Sequence, residues 1–359
     1  MDIVRILVFV LGTAIVVATL LSAIRTFVLP RGAPDLLTRI VFLAVRNVFE
    51  MRMRRARTYL ERDRSMALLG PISLLALLPV WYALVLTGYM GMFWAGGVET
   101  WYDALRASGS SLFTLGFTPL AGLLQAGLAF SEAMIGLILV ALLIAYLPTI
   151  YSAFARRETA VTLLEVRADN PPSAVEMILR YHRIHGLDRL TELWKTWETW
   201  FADIEESHTS LPALVFFRSP QPDHSWVTAA GAVLDGASLV LSSVDLPGDP
   251  QAALCIRAGY LALRRIAGFF NFPYNPEPRP DDLIQVTREE YDAACDRLAA
   301  RGVPLKPDRD QAWRDFAGWR VNYDAVLLAL AGLVLAPSAP WSGDRAMRFR
   351  PWVIMRQKK

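Results

Sequence analysis

Three long apolar stretches without a charged residue occupy about half of the first 155 positions, and they set what this chain can fold into. They are Ile6 to Ile24, Ser65 to Val98 (interrupted by Pro71 and Pro79) and Ala133 to Ala155. A helix rises about 1.5 Å per residue, so roughly 20 apolar residues cross a hydrocarbon core about 30 Å thick. Each stretch supplies one membrane span. Overall, 54% of the residues are hydrophobic against 20% charged, with mean hydropathy +0.31, which is too apolar for an ordinary soluble protein. Almost all of the excess lies ahead of Arg156; the part that follows has the balance and length to build its own core.

The expected fold class is an all-α membrane protein: three transmembrane helices, a re-entrant loop between the second and third, and a helical cytoplasmic domain. Residues 1–30 form the N-terminal span and 31–64 a basic connection. Residues 65–158 hold the outer helix, loop and inner helix, and 159–359 the cytoplasmic domain. The first span reads as retained rather than as a cleaved signal, because Asp2 accompanies Arg5 before it and no small-x-small site precedes Arg25.

Arginines orient the spans. From Arg31 to Arg64 there are nine arginines against four acids, whereas Glu99, Asp103 and a single Arg106 follow the second span. Basic loops stay in the cytoplasm, which places the amino terminus outside and the carboxy-terminal half inside. In the basic connection, Leu36, Leu37, Ile40, Val41, Leu43 and Ala44 make an apolar face ahead of Arg52, Arg54, Arg55 and Arg57. Such a helix either lies along the anionic inner leaflet or packs on the soluble domain. Membrane lipid is thus an expected partner. Arginine outnumbers lysine 33 to 4, which points to a high-GC bacterial genome and hence to the inner membrane.

Between the second and third spans the chain reads Tyr102-Asp103-Ala104-Leu105, then Ser108, then Ser111-Leu112-Phe113-Thr114-Leu115-Gly116-Phe117-Thr118-Pro119. A short helix followed by an extended Thr-x-Gly-aromatic strand resembles the pore loop of the potassium-channel superfamily, whose loop runs Y-D-A-L-x-x-S-x-x-T-x-T-T-V-G-[YF]-G-D. The likeness covers roughly residues 68–158, as a bacterial two-span pore with an extra N-terminal span. It implies an ion filter of Thr114, Leu115, Gly116, Phe117 and Thr118, an outer mouth near Pro119 and Glu132, and inner-helix hinges at Gly136 and Pro148. It also implies a homotetramer, since one chain brings one loop. A filter of this kind replaces an ion's hydration with backbone carbonyls, and the strand needs angles that glycine adopts at low cost. The permeant species would be a monovalent cation, potassium or sodium.

The departures from that pattern have consequences. Thr118 and Pro119 stand where the family has Gly and Asp, so the outer end cannot copy the potassium filter and its outermost ion sites are expected to be lost or widened. Phe117 has no hydroxyl, and Arg106 and Ala107 stand where aromatic residues often brace the filter. Glu132 either draws cations to the mouth or sits at the lipid interface. Pro148 reads as a gating hinge or as a fixed kink.

Helical signals fill the rest. Ser173 to Glu176 forms a capping-box pattern opening a helix that stops near Gly186. Leu190, Leu193, Trp194, Trp197, Phe201 and Ile204 recur at helical spacing and predict a core face. Helices are predicted over Thr228 to Val244, Asp249 to Phe270, Thr287 to Gly302 and Asp310 to Ala336, with a proline-rich loop over Pro273 to Asp282. Cys255 and Cys295 read as reduced, buried residues. Glycine-rich phosphate loops and G-x-S-x-G elbows are absent, so neither a nucleotide-sensing Rossmann domain nor an enzyme is expected. His182 and His185 lack the companions of a metal site, and no metal or other cofactor is expected. A net charge of +3 gives no reason to expect nucleic acid. The leading expectation is an oligomeric cation channel whose cytoplasmic domain assembles or gates it. The alternative is a non-conducting membrane-anchored sensor or scaffold whose cytoplasmic half binds a partner.

Overall fold

The computed structural model describes residues 3–29, 35–53 and 65–346. Arg54, Arg55 and Arg57 of the basic connection lie outside the described residues. The chain divides into two compact units, Met1–Ser152 and Ala153–Lys359. Among the described residues all regular structure is helical, apart from one isolated bridge between Val244 and Leu305.

The first unit contains α1 (Ile3–Phe27), α2 (Leu36–Met53), α3 (Leu69–Ala95), α4 (Trp101–Leu112) and the start of α5 (Leu123–Ala168). Two helices without a hydrophobic force between them associate through close packing, which small residues permit. Here α1 crosses α3 at Gly12 and Gly88. A Cβ built on Gly88 would stand 2.7 Å from Val16 Cγ2 and 2.8 Å from the Gly12 carbonyl oxygen. One turn on, Gly91 faces Val8, with 3.3 Å to Val8 Cγ1. At the other end of α1, Phe27 meets Trp81 edge-on with centroids 5.1 Å apart, and Trp81 Nε1 donates to Ser22 Oγ at 3.2 Å. Asp35 ties in α2: its Oδ2 accepts from the Thr38 amide at 2.8 Å, the N-cap pattern, and from Ser22 Oγ at 2.6 Å. On α2, Val41 is buried while Leu36 and Ile40 are exposed.

The second unit builds its core around α8 (Trp226–Ser243). Its neighbours are α6 (Ala174–Arg183), α7 (Leu190–Ser210), α9 (Pro250–Phe269), α10 (Arg288–Ala299), α11 (Arg309–Arg320) and α12 (Asp324–Val334). Glycines let these helices close in. Gly236 of α8 faces Met177 and Trp194, and Gly259 of α9 faces Leu234 and Phe201. The α7 stripe of Leu190, Leu193, Trp194, Trp197, Phe201 and Ile204 is buried, together with Trp200. Cys255 and Cys295 are both free and buried.

Four helices among the described residues are long and apolar enough to cross a membrane: α1, α3, α5 and α8. Their surroundings differ. Only 28%, 39% and 28% of the apolar stretches of α1, α3 and α5 are buried, against 94% for α8. Large apolar side chains such as Leu7, Leu11, Leu75, Phe130, Met134 and Ile144 stand exposed on the first three, as suits a membrane protein. α8 is instead sheathed by its neighbours.

Several boundaries differ from those read in the sequence. The third apolar stretch belongs to a longer helix, which begins at Leu123 and ends at Ala168. The expected helix from Asp310 to Ala336 is two helices, α11 and α12. Asn322 ends the first, its Nδ2 donating to the Gly318 and Trp319 carbonyls at 3.0 and 3.2 Å. The break brings Arg320 to Asp235, to Asp324 (2.8 Å) and to the Trp341 carbonyl (2.6 Å), all buried. A buried charge must be paired in this way to be tolerated. At α6, Ser173 Oγ accepts from the Glu176 amide, but the Glu176 carboxylate pairs with Arg297 instead of closing the box. α10 carries the full box, with Thr287 and Glu290 reciprocally bonded.

Candidate functional site

The segment from Thr100 to Gly136 holds every site residue read from the sequence except Pro148. α4 starts at Thr100, whose Oγ1 accepts from the Asp103 amide at 3.0 Å, with Asp103 favourably placed in the first turn. Its buried face is made of small residues, Ala104, Ala107, Ser108 and Ser110, and ends at Leu112. Phe113 then meets Tyr82 of α3 edge-on, with centroids 5.5 Å apart.

After Leu112 the backbone does not form the extended strand expected of Thr-x-Gly-aromatic. It curls round Ser110, because that residue offers two acceptors where the chain turns. The Ser110 carbonyl accepts from the Leu115 and Gly116 amides at 2.8 and 3.3 Å. Ser110 Oγ accepts from the Phe117 and Thr118 amides at 3.0 and 3.3 Å, and the Ser111 carbonyl from the Thr114 amide at 3.0 Å. Pro119 has no amide proton. Every N–H of the loop from Thr114 to Thr118 is therefore turned inward to α4. Among the described residues no donor reaches the five carbonyl oxygens of that stretch, and Leu115, Gly116 and Phe117 are exposed.

The curl needs two left-handed residues. Gly116 has φ 68°, and a Cβ there would meet nothing within 4 Å, so conformation and not space calls for glycine. Thr114 has φ 54°, which is uncommon for a β-branched residue, and costs on the order of 1–3 kcal/mol. Beside the loop, the Arg106 guanidinium stands 5.8 Å from the Phe117 ring centre and 5.9 Å from that of Tyr102. Thr118 Oγ1 donates to the Arg106 carbonyl at 3.3 Å.

Glu132 lies neither at an open mouth nor at a lipid-exposed position within the protomer. It is fully buried on α5, 2.6 Å from Ser108 Oγ, and its second oxygen has no partner among the described residues. Beside it Tyr89 donates to Ser131 Oγ at 2.9 Å. One turn on, Gly136 is also buried. A Cβ there would stand 2.6 Å from the Leu112 carbonyl oxygen, and its own carbonyl accepts from Tyr82 at 2.8 Å. Pro148 is exposed inside α5, about 18 Å further along the helix. The structure therefore groups Glu132 and Gly136 with α4, gathers Thr114 to Thr118 on Ser110 and Ser111, and leaves Pro148 apart.

Ser110 was not among the residues singled out from sequence, although the run Ser108-Gly109-Ser110-Ser111 before the loop is unusual for a membrane segment. Among the described residues no group of three His, Cys, Asp or Glu side chains is placed to hold a metal ion. The second unit has an internal polar cluster around Arg157. Arg157 donates to Glu158 (2.8 Å) and to the Leu214 and Phe217 carbonyls (3.0 and 2.6 Å), with His208 Nε2 at 3.2 Å. Comparison of the chain with family models, with curated proteins and with solved structures finds no match.

Proposed function

We propose that this protein is a subunit of an oligomeric cation channel, in which copies of the Thr114 to Thr118 loop converge and offer their carbonyl oxygens to a monovalent ion. The observation that carries this reading is the one-sidedness of the loop: five amides held by Ser110 and Ser111, five carbonyls without a donor among the described residues. Carbonyl oxygens at membrane depth need a partner, and a dehydrated cation supplies one. The curled backbone, with Thr118 and Pro119 at its outer end, favours potassium or less selective monovalent conduction over a tight potassium filter. In this reading α1, α3 and α5 span the inner membrane of a bacterium, with the loop re-entrant between α3 and α5. The amino terminus is outside and the second unit cytoplasmic, where it assembles or gates the pore. The expected assembly is a homotetramer.

The test is ion flux from liposomes holding the purified chain, with potassium and sodium exchanged. Gly116→Val should abolish flux in both ions, because a β-branched residue resists φ near 68°, while leaving the fold intact because the site is open. Equal flux in the variant and the parent would refute the filter. The curl itself favours a second reading, a non-conducting anchor whose cytoplasmic unit binds a partner. Absence of flux from the parent chain in both ions selects it.

A further inference from the structure

α4 is fastened to α5 at two points that keep the same register on both helices. Ser108 meets Glu132, and one turn on, Leu112 meets Gly136. The second contact is steric, since only a glycine admits the Leu112 carbonyl. The first is polar, and hydrogen-bond counting says what it holds. Ser108 Oγ lies 2.6 Å from Glu132 Oε1 and 3.1 Å from the Leu86 carbonyl of α3. A serine hydroxyl has one proton, and a backbone carbonyl cannot donate. If each contact is a full two-centre bond, Ser108 donates to Leu86 and receives a proton from Glu132. The partnerless second oxygen of Glu132 agrees with this, because a buried carboxylate would need donors on both oxygens, whereas the carbonyl oxygen of a neutral acid is far cheaper to leave alone.

We propose that Glu132, Ser108 and the Leu86 carbonyl form a proton-carrying latch that positions the loop, so that removal of the Glu132 proton releases α4 and lowers conduction. Two residues beyond Ser108, Ser110 holds four loop amides, so a shift of α4 is transmitted to the carbonyls by main-chain geometry alone. Few other ionisable groups face the latch. α3 contributes Tyr89, already bonded to Ser131, and Tyr82, bonded to Gly136. On α4, Asp103 and Arg106 lie off the buried face, 3.9 Å from each other. On α5 itself the neighbouring Ser131 carries no charge. Glu132 is a positioning residue, since it acts on the ion path through Ser108 and Ser110.

This inference rests on the conduction reading, and its test separates the two. The full chain is reconstituted in liposomes and followed over a pH series by potassium flux and, in parallel, by infrared absorption of protonated carboxyl groups. The parent should show a buried carboxylic-acid band at neutral pH that Ser108→Ala shifts and Glu132→Gln removes. Raising the pH should bleach the band and lower flux on the order of tenfold together, the effect of about 1.4 kcal/mol. A Gln amide can donate to Ser108 as the acid does, so Glu132→Gln should conduct at a level that no longer follows pH. Absence of the band, or a Glu132→Gln variant that keeps the parental pH profile, overturns the latch and leaves conduction standing. A band of the expected behaviour with no flux at any pH overturns both conduction and its gating.

Discussion

His208 shows how one side chain can tie stability to pH in the second unit. It is fully buried on α7, and burial, reinforced by the Arg157 guanidinium 3.2 Å from Nε2, holds its pKa well below the usual 6.5. The folded chain therefore keeps the ring neutral, as an acceptor for Arg157, while the unfolded chain takes up a proton below about pH 6.5. The stabilisation is complete above that value and is lost as pH falls, at up to about 1.4 kcal/mol per pH unit. Thermal melting of the detergent-solubilised chain between about pH 7.5 and 5 should show this decline. His208→Gln, which keeps an acceptor but cannot be protonated, should flatten it. The histidine is visible in the sequence, but its partner is 51 residues away, and nothing local to His208 announces a buried arginine.

At the scale of elements, the α1–α3 crossing depends on glycine. Gly88 has no room for a side chain against Val16 and the Gly12 carbonyl, so Gly88→Leu should push the helices apart and destabilise the first unit by several kcal/mol, about the upper range for overpacking. Gly127→Leu on α5, where a Cβ meets nothing within 4 Å, is the control expected to melt near the parent in the same detergent. The elements themselves were largely legible. Three apolar runs, the α7 tryptophan stripe and the Thr287 cap are local patterns, and each names its helix. The break at Val321 to Tyr323 was not, because Asn322 ends α11 without glycine or proline and the apolar spacing continues across it. The curl of the loop was hidden for a related reason: a serine one turn back supplies acceptors that no pattern of β propensity contains. The roles of Glu132 and Gly136 depend on pairing with Ser108 and Leu112, which spacing along the chain cannot show.

For the whole molecule, the decisive question is whether identical loops meet. Leu115 is exposed at the turn of the loop, and both native cysteines are buried, so a cysteine introduced there would be the accessible thiol among the described residues. If the loops converge, Leu115→Cys should form disulfide-linked dimers under mild oxidation in the membrane, since the bond forms only when Cα atoms come within about 7 Å. The same substitution at Leu254, exposed on α9 of the second unit, gives the comparison for random collision. Linkage at Leu115 no greater than at Leu254 would remove the basis for a shared axis.

The way Ser110 gathers the amides also decides what such an opening would refuse. With Leu115, Gly116, Phe117 and Thr118 all donating to one serine, and proline next in line, the backbone from Leu115 to Pro119 has no amide hydrogen left to give a halide. Chloride would meet the negative ends of peptide dipoles along that stretch of backbone. On the proposed conduction reading, discrimination by sign of charge would begin in the polypeptide backbone, before any acidic side chain is called upon.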